Sequence, residues 1–120
     1  MSGNVHEPAR RVLVVDDDAA IREITAEVLR DVGYDVVCAV NGEQALRELR
    51  SEHRPHLVLL DLMMPVMSGW ELLELLQSTD DLSKIPVVVV SAMSAPGVRE
   101  HLAKPIDLDL LLATVHRLVG

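Results

Sequence analysis

The sequence predicts an α/β fold, with one parallel β-sheet covered by helices on both faces. Short runs rich in valine and leucine alternate along the chain with longer segments in which apolar residues recur at helical spacing. The runs are continuously apolar, which is typical of strands buried on both faces of a parallel sheet. Polar residues follow several of these runs, as they do at the ligand-binding edge of open α/β sheets. We therefore expect repeated βαβ units that form a single sheet.

Size and composition agree with a single domain. The chain has 120 residues, of which 49% are hydrophobic and 25% are charged, and this is enough to bury a core without disulfides. Residues 1–10 show no periodicity and are predicted to form a flexible N-terminal tail, with residues 11–120 as the folded domain. The lone Cys38 cannot form an intrachain disulfide. Because we find no signal peptide or long apolar span, we expect a cytoplasmic protein that does not enter a membrane.

The charge of the chain argues against nucleic acid as a direct partner. The sequence carries 11 basic and 19 acidic residues, and its formal net charge of −8 repels a phosphate backbone. Trp70 and Tyr34 are the only aromatic residues apart from histidine, which is too few to form a stacking surface for bases. DNA or RNA binding by this chain is therefore not expected.

Five strands are predicted from the apolar runs. They comprise residues 12–15, 34–40, 56–60, 86–90 and 99–103. Pro86 stands at the first position of the fourth strand, where a missing N–H donor is tolerated. The third strand is a continuous apolar run that ends in Asp61, and it is expected to lie at the centre of the sheet.

Helices are predicted between most of these strands and after the last one. The first helix begins after Asp18, whose carboxylate can cap it, and ends at Gly33, which can adopt a left-handed conformation. The residues expected to face the core from this helix are Ile21, Ile24, Val28, Leu29 and Val32. The second helix opens at Asn41-Gly42 and ends near residues 54–55. The third helix follows Gly69, and the last one begins at Asp107.

The connection between the fourth and fifth strands is too short for the usual helix. Only residues 92–98 separate Ser91 from the predicted fifth strand, whereas a parallel crossover normally takes a dozen or more residues. We therefore expect this fourth helix of the βαβ pattern to be missing or vestigial, and the crossover to be extended. A hairpin would place Lys104 at the wrong end of the sheet. The alternative is a strand-swapped dimer, in which the fifth strand and the last helix dock on a second chain.

Polar side chains follow four of the predicted strands. Asp16 and Asp17 come after the first strand, Asp61 after the third, Ser91 after the fourth and Lys104 after the fifth. Because the carboxyl ends of parallel strands meet at one edge, we expect these side chains to lie close together. Three carboxylates and one lysine leave negative charge uncompensated, which suits Mg²⁺, and this combination is typical of phosphoryl transfer. Taken alone, Asp61 is equally consistent with an aspartate that caps a turn.

These residues resemble the receiver domain of two-component response regulators. The motifs that carry the resemblance are Asp16-Asp17, Asp61-x-x-Met64-Pro65-x-x-x-Gly69, Ser91-Ala92 and Lys104-Pro105, in this order over residues 11–119. The resemblance implies a flavodoxin-like sheet with the strand order 2-1-3-4-5. It also implies a phosphorelay switch, not an enzyme with an external substrate. Such a switch accepts a phosphoryl group from a histidine kinase or a histidine phosphotransfer protein and then acts on a downstream protein partner.

The resemblance also implies a role for each residue of the predicted site. Asp61 resembles the phosphoacceptor. Asp17, Asp61 and the backbone carbonyl of Met63 resemble the Mg²⁺ ligands, and Asp16 resembles the residue that holds metal-bound water. Lys104 resembles the residue that pairs with a phosphoryl oxygen, and the peptide bond that follows it is often cis in similar proteins.

The signalling part of the resemblance is less complete. Ser91 resembles the hydroxyl that binds the phosphoryl group and couples it to the fold, but His101 stands where the family carries an aromatic switch residue. A surface histidine without a switching role fits His101 equally well. If the fourth helix is missing, partners should contact the edge near His101 and the last helix. Met63 and Met93 replace the polar side chains that usually orient attacking water, so we expect slow self-dephosphorylation.

Two other functions remain open at this stage. One is an interaction module that keeps the fold and signals without phosphorylation, which His101 and the short crossover favour. The other is a Mg²⁺-dependent aspartyl phosphohydrolase. Enzymes of that kind resemble Asp-x-Asp at the nucleophile, whereas Leu62 and Met63 follow Asp61 here.

Overall fold

In a computed structural model of the chain, five parallel strands form one sheet. The structure describes residues 9–64, 66–92 and 97–120. The strands are β1 (Arg11–Val15), β2 (Asp35–Ala39), β3 (Leu57–Asp61), β4 (Val87–Ser91) and β5 (His101–Ala103). Their order across the sheet is β2-β1-β3-β4-β5, and each neighbouring pair is parallel. The predicted fold class and strand order are confirmed.

Four α-helices occur in the described residues, and a capping side chain begins each of them. They are α1 (Ala19–Asp31), α2 (Gly42–Leu49), α3 (Gly69–Ser78) and α4 (Leu108–Val119), with a single 3₁₀ turn at Leu82–Lys84. The caps are Asp18, Asn41, Ser68 and Asp107, each of which accepts a hydrogen bond from a backbone N–H of the first turn. Within the described ranges, no helix is long and apolar enough to cross a membrane.

The sheet separates two hydrophobic cores. Successive strand residues point to opposite faces, so Leu13 and Val15 pack with α2 and α3, while Val12 and Val14 pack with α1 and α4. The central strand β3 is buried along its whole length. Because both faces of β1 and β3 are covered, the polar residues at their carboxyl ends project from rigid strands.

The buried face of α1 differs from the predicted one. Ile24 and Val32, which the apolar pattern assigns to the core, are 53% and 56% exposed. The buried residues of this helix are Thr25, Ala26 and Leu29. The small side chains of Thr25 and Ala26 let the helix approach the sheet closely, so α1 is rotated away from its most apolar stripe. The prediction for Ile24 and Val32 is therefore wrong, whereas Gly33 beyond the helix has the expected positive φ of 103°.

α2 is shorter than predicted. It ends at Leu49, not near residues 54–55. The hydroxyl and the N–H of Ser51 both donate to the Glu48 carbonyl, at 2.8 and 3.2 Å, and this local bonding competes with continuation of the helix. The chain then crosses to β3, where the His56 N–H donates to the Arg11 carbonyl at 2.7 Å.

β5 pairs with β4 of the same chain, so the sheet is completed without a second molecule. The pairing is parallel, with Val89 opposite His101 and Ser91 opposite Ala103, which excludes a hairpin. β5 begins two residues later than predicted. The described part of this connection, residues 92 and 97–100, contains no helix, and residues 93–96 lie outside the described residues. The described residues of this connection therefore agree with the predicted crossover that lacks the usual helix.

Arg30 covers one edge of the sheet. β2 forms this edge, and in its parallel pairing with β1 the carbonyl of Val36 is directed outward. The Arg30 Nη2 atom donates to this carbonyl at 3.0 Å. The opposite edge is formed by β5, which is only three residues long.

Candidate functional site

Three carboxylates meet at the carboxyl ends of β1 and β3. One carboxylate oxygen from each of Asp16, Asp17 and Asp61 lies within 4.8 Å of the other two. Asp16 and Asp61 are 4% and 5% exposed, whereas Asp17 is open to solvent. Like charges at these distances repel one another unless cations or hydrogen-bond donors surround them. The structure thus brings together the three aspartates that the sequence places at strand ends.

Asp16 is held by four hydrogen bonds. Its N–H donates to the Ala39 carbonyl at 3.1 Å, and its own carbonyl accepts from Arg22 Nη1 at 2.8 Å. Its carboxylate accepts from the Asp18 N–H at 2.9 Å through Oδ1 and from Lys104 Nζ at 3.0 Å through Oδ2. Both oxygens of Asp16 therefore already have a protein partner, and the side chain is fixed in one orientation.

Lys104 is the cation at the centre of the site. The Lys104–Pro105 peptide bond is cis, and the Lys104 N–H donates to the Ser91 carbonyl at 3.1 Å. Its Nζ atom lies 3.0 Å from Asp16 Oδ2 and 3.6 Å from Asp61 Oδ1. Burial alone would lower the pKa of this ammonium group, but the hydrogen bond to Asp16 and the charges of Asp16 and Asp61 outweigh it, so the pKa is raised. Lys104 is therefore charged at any physiological pH.

The surroundings of Asp61 disfavour its charged form. Burial raises its pKa above the ordinary value, and the charges of Asp16 and Asp17 add to this effect. The Met63 N–H, which donates to Asp61 Oδ1 at 3.2 Å, and the charge of Lys104 oppose the rise in pKa without cancelling it. An added cation would favour the charged form of Asp61, so the electrostatics of the site suit a bound metal ion.

The backbone after Asp61 folds back tightly on the end of β3. The Gly69 N–H donates to the Leu62 carbonyl at 3.0 Å, and a Cβ at Gly69 would clash with the backbone carbonyl of Asp61. In the same connection Val66 has a φ of 69°, which is costly for a β-branched residue. This tight connection fixes the backbone of Asp61, at the end of β3, against the start of α3.

Of the other predicted site residues, the structure describes Ser91, Met63 and His101. Ser91 is buried at the carboxyl end of β4, next to β3 in the sheet. Met63, two residues after Asp61, is 60% exposed. His101 is exposed on the edge strand β5, and Met93 lies outside the described residues. The roles expected for His101 and Met93 therefore stay predictions.

Two residues of α1 belong to the surroundings of the site and were not singled out from the sequence. Arg22 binds the carbonyl of Asp16, and the buried Thr25 lines a small cavity together with Asp16 and Asp61. Both follow Asp18 at helical spacing, so they lie on the same face of α1 as its cap. That spacing was the available signal, but which face of α1 is buried depends on packing against the sheet.

Comparison with known families agrees with the resemblance to receiver domains. A family model of the response regulator receiver domain matches residues 12–116. The polar-differentiation response regulator DivK of Brucella anthropi is 30% identical in an alignment that covers 92% of this chain and 97% of DivK. The response regulator MprA of Mycobacterium sp. strain KMS is 38% identical in an alignment that covers 91% of this chain and 50% of MprA. The chain thus spans nearly all of one relative and half of the other.

Solved structures show the same architecture. The chemotaxis protein CheY4 of Vibrio cholerae superposes with a TM-score of 0.85 at 28% identity, covering 93% of this chain and 100% of CheY4. A response regulator receiver protein from Pseudomonas putida has a TM-score of 0.85 at 31% identity, covering 93% of this chain and 99% of that protein. The similarity therefore extends over almost the whole chain.

Proposed function

Because the chain belongs to the family of response regulator receiver domains, we propose that it is a phosphorylation switch whose phosphoacceptor is Asp61. The observation that carries this proposal is the buried carboxylate of Asp61, with Lys104 Nζ 3.6 Å from one of its oxygens and two further aspartates beside it. Members of this family are signalling switches in two-component systems. A fixed nucleophile, a fixed cation and a metal-binding carboxylate pair are the components that phosphoryl transfer needs.

The donor set at the site fits Mg²⁺. Three carboxylates face one lysine, so negative charge remains in excess, and oxygen atoms are the ligands that this ion prefers. Asp17 and Asp61, with the backbone carbonyl of Met63, would bind the ion directly. Both oxygens of Asp16 already accept hydrogen bonds, which favours contact through a metal-bound water. When bound, the ion would screen the charge of the phosphoryl oxygens and orient them.

In the proposed reaction, Asp61 attacks the phosphorus atom of a phosphohistidine on a kinase or phosphotransfer protein. An oxygen–phosphorus bond forms as the phosphorus–nitrogen bond breaks, and the electron pair of the broken bond returns to the imidazole. Lys104 pairs with a phosphoryl oxygen and is already positioned by Asp16, so little reorganisation is needed during transfer. The product is an acyl phosphate, which adds charge and strong acceptor oxygens at this point.

The signal would leave the site through Ser91 and β5. We propose that the Ser91 hydroxyl binds the phosphoryl group, since Ser91 ends β4 and its carbonyl accepts the Lys104 N–H. The downstream partner would be a cytoplasmic protein that contacts the β5 edge near His101 and the exposed side of α4. No nucleic acid contact is proposed, because the net charge of −8 opposes it.

Phosphorylation by a small donor tests the proposal. The chain is incubated with Mg²⁺ and acetyl phosphate, and its intact mass is measured. We expect a gain of one phosphoryl group, no gain in Asp61→Asn, and an unchanged gain in the control Asp109→Asn, which alters an exposed aspartate of α4. An unmodified wild-type chain under saturating Mg²⁺ would favour the interaction module that signals without phosphorylation. Phosphate release from the donor in many-fold excess over protein would favour a phosphohydrolase.

A further inference from the structure

The hydroxyl of Thr25 is a buried polar group without a hydrogen-bond partner in the described part of the chain. Thr25 is 3% exposed on the inner face of α1, and no described residue accepts from its hydroxyl or donates to it. The other buried threonine, Thr114 on α4, follows the usual pattern, because its hydroxyl donates to the Leu110 carbonyl at 2.7 Å. Buried polar groups nearly always find a partner, so the hydroxyl of Thr25 requires an explanation.

A small cavity next to Thr25 supplies that explanation. It measures about 10 Å³, and its polar lining consists of Thr25, Asp16 and Asp61. Its other walls are apolar side chains of the strands and of α4, including Leu59 and Leu111. About 10–15 Å³ is the least space that holds one water molecule, and such a water needs two to four polar partners. The cavity has the size for one water and three residues that can bind it.

The two carboxylates have the capacity to accept from such a water. Asp61 Oδ2 accepts no hydrogen bond from any described residue, while Oδ1 accepts from Met63. Each oxygen of Asp16 accepts one hydrogen bond, and a carboxylate oxygen can accept two. A water in the cavity would accept from the Thr25 hydroxyl and donate one hydrogen to each aspartate. Every polar group that lines the cavity would then have a partner.

We propose that a single structural water fills this cavity and that Thr25 is the positioning residue that holds it beneath Asp16 and Asp61. The water supports the carboxylates from the side of α1 and α4. It gives Asp61 a second donor besides Met63 and so keeps the carboxylate in one rotamer. The water site stands on the cavity and the buried hydroxyl, whereas its effect on phosphoryl transfer rests on the function proposed above.

Exchange of this water has a route to solvent. Thr25 and Ile106 line both the inner cavity and an outer groove of about 200 Å³. The other residues that line this groove are Ile21, Ile24, Lys104, Pro105 and Leu108. A water beneath the aspartates would therefore exchange between Thr25 and Ile106, through a groove that Lys104 also lines.

Three substitutions test the proposal. Thr25→Val keeps the shape of the side chain and removes the hydroxyl, Thr25→Ser keeps the hydroxyl, and Thr114→Val is the control at a threonine with a backbone partner. We expect Thr25→Val to lower the urea midpoint of unfolding and to slow phosphorylation by acetyl phosphate several-fold. Thr25→Ser should retain the wild-type rate. Thr114→Val should lower the midpoint and leave the rate unchanged.

A high-resolution crystal structure and the unfolding midpoints decide the outcome without any phosphorylation. Density for one water within hydrogen-bond distance of Thr25 and an aspartate, lost in Thr25→Val, supports the proposal. An empty cavity, with a higher midpoint in Thr25→Val than in wild type, overturns it, because removing an unpaired hydroxyl from a dry site is stabilising. Failure of the wild-type chain to accept a phosphoryl group would contradict the proposed function, whereas the presence of the water is decided by these two measurements alone.

Discussion

The two ends of the sheet balance charge in opposite ways. At the amino end, Arg11 Nε binds Asp35 Oδ2 at 2.7 Å, and its Nη1 atom donates to the His53 carbonyl at 2.8 Å. The Arg11 N–H donates to His56 Nδ1 at 2.9 Å, so the backbone is also satisfied there. At the carboxyl end, one carboxylate oxygen from each of three aspartates lies within 4.8 Å of the others, and Lys104 pairs with two of them, Asp16 and Asp61.

This difference separates a structural cluster from a functional one. The amino end pairs one guanidinium with one carboxylate and needs nothing from outside the chain. The carboxyl end keeps an excess of negative charge in a largely buried place, which folding alone does not reward. Buried carboxylates with uncompensated charge, such as Asp61 with its raised pKa, are typical of sites that bind or react.

Removing the cation of the carboxyl end should have the largest effect. Lys104→Met leaves the aspartates without a fixed positive charge and leaves the developing phosphoryl charge without a donor. We expect phosphorylation by acetyl phosphate to slow by about 100-fold or more at saturating Mg²⁺. Lys84→Met, which removes an exposed lysine from the 3₁₀ turn, is the control and should keep the wild-type rate. A rate in Lys104→Met within twofold of wild type would contradict the role given to this residue.

Adding polar groups near Asp61 should shorten the life of the acyl phosphate. Met63 has no strong hydrogen-bonding group to orient an attacking water, and the same holds for Met93, which lies outside the described residues. In the double variant Met63→Asn, Met93→Glu, we expect loss of the phosphoryl group to accelerate by up to about 100-fold. The decay is followed by intact mass after the donor is removed. Unchanged or slower decay would refute the explanation.

Breaking the amino-end cluster should affect stability and leave the chemistry intact. Arg11→Met removes the ion pair with Asp35 and the hydrogen bond to the His53 carbonyl, and we expect a loss of about 1 kcal/mol in the free energy of unfolding. The control is Arg54→Met, because Arg54 lies 3.9 Å from Asp81 in an exposed pair and should contribute almost nothing. Phosphorylation should be unchanged in both variants. A slower reaction in Arg11→Met would mean that the two ends are coupled.

The smallest expected effect is a pH-dependent gain in stability on neutralising Asp61. Burial raises the pKa of Asp61 in the folded chain, so ionisation costs more in the folded state than in the unfolded state. Well below the unfolded pKa of about 3.9, both states are protonated and the aspartate is not penalised, and at pH 4 only part of the penalty is present. As the pH rises through the folded pKa, wild type should lose stability relative to Asp61→Asn. Urea unfolding in EDTA at pH 4 and pH 7 measures this difference, and a difference that shrinks with rising pH would contradict it.

Most of the fold follows from signals that are local in the sequence. The runs of valine and leucine predict the strands, and the caps Asp18, Asn41 and Asp107 lie where helices begin. Strand order followed from the family resemblance. Ile24 was assigned to the wrong side, because the rotation of α1 depends on how closely Thr25 and its neighbours pack on the sheet, which no helical period contains.

Some residues of the candidate site could likewise be predicted from the sequence, and others could not. Asp16, Asp17 and Asp61 could be placed together from sequence, because parallel strands bring their carboxyl ends to one edge. Arg22 and Thr25 could not, since both reach the site from a helix whose orientation is set by tertiary packing.

The hydrogen bond from Arg30 to the outer edge of β2 has a consequence for behaviour at high concentration. An open sheet has two edge strands whose free backbone groups can pair with other chains and start aggregation. Here the Val36 carbonyl is already occupied by Arg30, and the opposite edge offers only the three residues of β5. One edge therefore has one of its outward carbonyls occupied, and the other edge is short. Arg30→Ala should consequently promote self-association before it measurably weakens the fold.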